Sequence, residues 1–230
     1  MKRNLKRLPA LLLAILLCLS LLPATAGAFE TSGDGWELDF SSPGGPTLKI
    51  ESDTGMGNWI EANKSATYSL LVYAVELAEG ITEIPYHAFY KCSLLTTVEI
   101  PASVIKMGKN DIFEGCRSLT EITVAAENKN FTAEDGILYN AKKTDVLICP
   151  PGKSGAVTLP QTVTTIASSA FKGCAGITNV TLHEGITKIE NVAFEGCNGL
   201  TTLTLPASLI SLGNGCLLYT SPSPRDSTSS

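Results

Sequence analysis

A mainly β solenoid, with short parallel strands stacked coil on coil behind an N-terminal β-hairpin cap, is the fold this 230-residue sequence predicts. Three observations carry the prediction. Thr165-Ile166-Ala167-Ser168-Ser169-Ala170-Phe171-Lys172-Gly173-Cys174 is answered by Lys188-Ile189-Glu190-Asn191-Val192-Ala193-Phe194-Glu195-Gly196-Cys197, with the two phenylalanines 23 residues apart. Upstream, Ala88-Phe89-Tyr90-Lys91-Cys92 and Ile112-Phe113-Glu114-Gly115-Cys116 repeat the pattern at a spacing of 24. Six residues after each Phe an apolar triplet begins: Leu95-x-x-Val98-x-Ile100, Leu119-x-x-Ile122-x-Val124, Ile177-x-x-Val180-x-Leu182 and Leu200-x-x-Leu203-x-Leu205. A fixed period in the low twenties with an L-x-x-L-x-L-like core is the signature of a leucine-rich-repeat solenoid.

Alternation explains the spacing. In V-x-I the outer two side chains point to one face of a strand and the middle one to the other. One coil cannot bury that pair, but stacked coils about 4.8 Å apart place it in a continuous ladder. Each buried Phe adds roughly 1.5–3 kcal/mol of transfer free energy, so the four phenylalanines read as the spine of one core.

Residues 1–28 read as a signal peptide. Lys2, Arg3, Lys6 and Arg7 precede the apolar run Leu11 to Leu22, and Ala26-Gly27-Ala28 supplies the small residues of a cleavage site. The run is shorter than the ~20 residues of a membrane span, and the residues before Cys18 do not suit a lipoprotein box. Export to the cell surface or beyond is the expectation. Between residues 29 and 215 there are 12 Lys and Arg against 21 Asp and Glu, without a basic cluster. Nucleic acid and anionic membranes are therefore poor partners.

Residues 29–69 form a capping region without the repeat. Trp36-Glu37-Leu38-Asp39-Phe40 alternates, and Leu48-Lys49-Ile50 follows a Ser/Pro/Gly turn cluster, predicting a hairpin that covers the end of the solenoid. Trp59 is expected to pack beneath the first coil. The solenoid spans residues 70–215. Its period breaks between Phe113 and Phe171, where an enlarged coil at about 125–156 contains Asp135-Gly136-Ile137-Leu138-Tyr139, a turn at Asn140-Ala141-Lys142-Lys143, and Thr144-Asp145-Val146-Leu147-Ile148. That arrangement predicts a second β-hairpin.

Leu205-Pro206-Ala207-Ser208-Leu209, Ala170-Phe171-Lys172-Gly173-Cys174 and the enlarged coil, with its Cys149-Pro150-Pro151-Gly152-Lys153, resemble the BspA-like leucine-rich-repeat family of secreted and cell-surface proteins. The likeness covers about Leu70 to Gly213. It implies surface display, adhesion or protein binding, and fold-level analogy carries no more than that. After Gly215 the repeat asks for Ala-Phe, yet the chain reads Cys216-Leu217-Leu218-Tyr219-Thr220-Ser221-Pro222-Ser223-Pro224-Arg225-Asp226. Residues 216–230 read as a translated sequencing adapter rather than natural protein.

Chemistry-bearing residues are sparse. Of seven cysteines, Cys92, Cys116, Cys174 and Cys197 share one repeat position, three after Phe. No C-x-x-C pair suggests zinc. Export permits disulfides, but one repeated slot favours small buried free thiols. His183 stands where sister coils carry Pro101, Pro160 and Pro206, and His87 aligns with Ser169 and Val192; neither has a recurring acid or nucleophile beside it. Gly152-Lys153-Ser154 lacks the earlier glycine of a phosphate loop, position 147 being Leu147. No catalytic group, cofactor or metal is expected. The candidate surface is the outward row of the ladder: Thr97, Glu99, Glu121, Thr123, Thr158, Asn179, Thr181, Thr202 and Thr204. Threonine suits an exposed strand by propensity alone, yet extended solenoid faces are where partners bind. The reading is an exported, non-catalytic module that binds a protein or glycan. The alternatives are a targeting module of a larger secreted enzyme, such as a cell-wall hydrolase, or a structural spacer.

Overall fold

A computed structural model describes residues 31–64, 68–108 and 111–216. The signal-peptide reading of residues 1–28 and, apart from Cys216, the adapter reading of residues 216–230 lie outside the described residues.

The cap opens as an antiparallel meander of β1 (Ser32–Gly33), β2 (Trp36–Asp39) and β3 (Thr47–Ile50). In the expected hairpin Trp36 faces Ile50 and Leu38 faces Leu48, all four buried. A slip of one residue would turn these side chains to solvent, so burial sets the register. Between them Lys49 points outward to Asp39 at 2.8 Å and Glu37 at 3.5 Å.

Helix α1 (Asp53–Ala62) follows, capped by the Ser52 hydroxyl accepting from the Gly55 N–H at 3.1 Å. It buries Met56 and Trp59, and the Trp59 indole N–H donates to the Ala88 carbonyl at 2.7 Å. Trp59 thus lies under the first coil, as its position suggests. Asp53, in the first helical turn, accepts from the Thr82 hydroxyl at 2.6 Å and from the Thr82 and Glu83 N–H groups. The Thr82 hydroxyl, ahead of the backbone donors, holds its pKa below the ordinary 3.8. A depressed carboxylate pKa contributes stability that is present above 3.8 and lost as pH falls through the lower folded value. Melting temperature in wild type should therefore drop more steeply on acidification below 3.8 than in Asp53→Asn. Parallel acid profiles for the two proteins would remove Asp53 from the clasp between cap and first coil.

The repeats build two ladders. In the first, β3 pairs in parallel with β4 (Ala74–Leu77), β4 with β6 (Thr97–Ile100), and β6 with β8 (Glu121–Val124). The second begins with the two-residue strands β5 (Glu83–Ile84) and β7 (Lys106–Met107). The enlarged coil then inserts an antiparallel meander of β9 (Phe131–Glu134), β10 (Ile137–Asn140) and β11 (Asp145–Ile148). β10–β11 is the hairpin foreseen. β9 joins β10 through Asp135-Gly136, both at positive φ, the conformation that a tight two-residue hairpin turn requires.

This meander interrupts the first ladder. The Ile122 N–H donates to the Gly136 carbonyl at 3.0 Å, and the Gly152 N–H donates to the Leu119 carbonyl at 2.8 Å. Gly152 approaches so closely that a Cβ there would lie 2.7 Å from the Arg117 and Leu119 oxygens. The ladder restarts as β12 (Ser154–Thr158) with β14 (Gly176–Thr181). On the second side, β11 continues into β13 (Thr165–Ile166), β15 (Lys188–Ile189) and β16 (Ser211–Leu212).

The core divides at the same place, one cluster running from Trp36 to Leu138 and the other from Ile137 to Cys216. Phe89 stacks on Phe113 at 5.5 Å and Phe171 on Phe194 at 4.9 Å. The spine is thus two stacks and not one, because the enlarged coil carries Cys149-Pro150-Pro151 where a Phe loop would lie. The described cysteines are unpaired and buried. Cys116 Sγ donates to the Phe89 carbonyl and Cys197 Sγ to the Phe171 carbonyl, each at 3.0 Å. The repeat position therefore holds a side chain small enough to bury and able to tie its coil to the one before. Burial pushes both thiols up to about 12.

Candidate functional site

The nine outward residues are all exposed. β6 and β8 set Thr97 opposite Glu121 and Glu99 opposite Thr123. β12 and β14 set Thr158 opposite Thr181 and Ala156 opposite Asn179. Thr202 and Thr204 are exposed on the last coil but lie outside any strand. The row is therefore two patches separated by the meander. Inward neighbours Val98, Ile122, Val157 and Val180 are buried, which fixes the outward side chains on a rigid backing. Beside the first patch, Val75, Glu76, Leu77, Glu79, Glu99 and Pro101 line a depression of about 250 Å³. The Glu79 carboxylate is already engaged, accepting from the Ala102 and Ser103 N–H groups at 3.1 and 3.2 Å. Glu76 and Glu99 are left as its exposed acidic rim.

Two features escape a reading of the repeats. A groove of about 700 Å³ lies where the second ladder meets the meander, with Ile105, Met107, Phe131, Leu138, Leu147 and Ile148 among its lining. Its residues come from coils far apart in sequence, so no local pattern announces it. The other is a polar cluster: ligand atoms of His87, Asp111 and Glu114 lie within 4.8 Å of one another, the composition of a cation site. The Lys172 ammonium, from beyond the enlarged coil, already sits 3.1 Å from Asp111 and 3.3 Å from Glu114. It supplies the counter-charge and links the two halves. His87 itself, at a positive φ of 63°, has its ring tilted against those of Tyr86 and Tyr90, with centroids 3.7 and 4.6 Å away. His183 spans adjacent coils, with Nε2 3.0 Å from the Pro160 carbonyl and Nδ1 accepting from the Gly185 N–H.

Stacked coils, parallel ladders and an exposed strand face define a leucine-rich-repeat solenoid. The sequence matches the BspA type leucine rich repeat region over residues 61–151 and 153–223, in six copies, and the chain belongs to that family. Among solved structures it is similar to the pneumococcal vaccine antigen PcpA, at 28% identity and a TM-score of 0.56. That likeness covers 60% of this chain and 35% of the antigen. It is also similar to a leucine rich cell surface protein from Faecalibacterium prausnitzii, at 26% identity and a TM-score of 0.55, covering 64% of this chain and 40% of that one. The chain thus spans well under half the length of either relative. No curated protein matches it. No helix among the described residues is long and apolar enough to cross a membrane.

Proposed function

We propose that this chain is an exported, cell-surface binding module that docks a protein or glycan through the outward faces of β6–β8 and β12–β14, without catalysis. The observation that carries the reading is the exposure of Thr97, Glu99, Glu121, Thr123, Thr158, Asn179 and Thr181 on paired strands whose inward neighbours are buried. Short polar side chains on a rigid strand lose little entropy on docking. A ladder built by stacking offers them as an extended surface. Thr202 and Thr204 extend the second patch. A surface location is supported by family membership and by the likeness to a leucine rich cell surface protein.

The test is adhesion of the purified protein to cultured epithelial cells, compared with a Thr123→Arg/Thr181→Arg double variant. Both substitutions leave the inward apolar residues in place, so melting temperature should change little. The variant should lose at least tenfold in half-maximal binding, through bulk and unpaired charge in the interface. Equal adhesion with an unchanged fold would move binding away from the strand face.

A further inference from the structure

We propose that His87, Asp111 and Glu114 form a site for a divalent transition metal, zinc fitting best, which the Lys172 ammonium fills until the metal displaces it. The site follows from coil stacking. His87 lies two residues before Phe89 and Asp111 two before Phe113. One repeat position therefore brings them together from adjacent coils, about 4.8 Å apart. Glu114 reaches the same point from the next turn, its N–H donating to the Asp111 carbonyl at 3.4 Å. Ligand atoms of the three lie within 4.8 Å of one another. The backbone beneath them is pinned. The Phe89 N–H donates to the Ile112 carbonyl at 3.0 Å, and the Lys91 N–H to the Glu114 carbonyl at 2.7 Å. The second half carries no such set, because Ser169 and Val192 hold the first repeat position there and Lys172 and Glu195 the second.

A cation is held there already. The Lys172 ammonium sits 3.1 Å from Asp111 and 3.3 Å from Glu114, where a metal bound to both carboxylates would lie. It balances one of their two negative charges. Lys91, which follows Tyr90, is engaged over the Tyr90 ring, 4.9 Å from its centroid. A dication balances both charges and gains the imidazole nitrogen as a third ligand. One nitrogen and two carboxylate oxygens suit zinc, with water in the fourth position, whereas calcium and magnesium take all-oxygen sets. Tetrahedral ligands at roughly 2.0–2.2 Å from zinc stand about 3.4 Å from one another. Small torsions of His87 and Glu114, both half-buried, supply that contraction. The Lys172 side chain, 27% exposed, has solvent to swing into.

The tag-free full chain, stripped of metal by chelator, is titrated with Zn²⁺ by calorimetry and should bind one equivalent. His87→Ser copies Ser169, which holds the same repeat position at a positive φ of 56°, so this variant should fold normally. It should bind zinc at least tenfold more weakly. Lys172→Met removes the competing ammonium and should bind at least tenfold more tightly. Excess Ca²⁺ should leave the zinc in place. Co²⁺ used as a probe should show no thiolate-to-metal charge-transfer band, which separates this site from the buried cysteines. Melting temperatures in chelator report the fold of each variant, and the His87→Ser comparison decides the site even where Lys172→Met is unstable. Equal affinity in folded Lys172→Met would overturn the displacement. No one-to-one binding by wild type, displacement by calcium, a thiolate band, or equal affinity in His87→Ser would overturn the site itself.

Discussion

Phe171→Ala is expected to lower the unfolding free energy by about 3–5 kcal/mol, the cost of an aromatic removed from a core that cannot collapse around the void. Phe171 is fully buried and stacks on Phe194 at 4.9 Å. Its N–H donates to the Ala193 carbonyl and its carbonyl accepts from Cys197 Sγ, so the backbone around the void is held by the next coil. The loss should also be local. Phe171 belongs to the second core cluster, and the enlarged coil separates it from the Phe89–Phe113 stack. Amide exchange should accelerate across residues 157–200 while β4, β6 and β8 keep most of their protection, since coils are stabilised chiefly by their neighbours. Uniform loss of protection in both halves would mean that the two clusters fold as one unit.

Trp59→Ala should cost about 3–5 kcal/mol by the same cavity argument, with its consequences at the other end. Trp59 is fully buried, meets Trp36 edge-on at 5.4 Å and Tyr68 at 6.2 Å, and ties α1 to the first coil through Ala88. Trp59→Phe keeps most of the volume and removes only the indole donor, leaving the Ala88 carbonyl without that partner. It should therefore cost less, about 1–3 kcal/mol. Chemical denaturation measures both, and limited proteolysis should release the 31–64 segment first in the alanine variant. An alanine variant as stable as wild type would show that the cap does not close the solenoid.

What could be read in the sequence is what repeats. The Phe loops, the inward pairs such as Val98 and Ile100, and both hairpins are local patterns whose period is their physical cause. Helix α1 was not legible: Asp53-Thr54-Gly55-Met56-Gly57 has poor helix propensity, and burial of Met56 and Trp59 holds it in place. β9 was hidden because Phe131-Thr132-Ala133-Glu134 is short, alternates with only one large apolar residue and is nowhere fully buried, so it gains its order from pairing with β10. The division of the outward row was invisible for a related reason. Thr123 and Thr158 look equivalent by period, but the contacts of Ile122 with Gly136 and of Leu119 with Gly152 close the edge of β8. The 700 Å³ groove and the Lys172 ion pairs join residues from different coils, which periodicity cannot relate.

Amide hydrogen exchange of the full chain tests the strand-face reading most directly, measured free and with a surface-protein extract of the epithelial cells used in the adhesion assay. Slowed exchange confined to residues 97–100, 121–124, 156–158 and 177–181, with the Phe loops unchanged, is the predicted result. Slowed exchange around the groove at residues 131–148, with those strands unaffected, would contradict it.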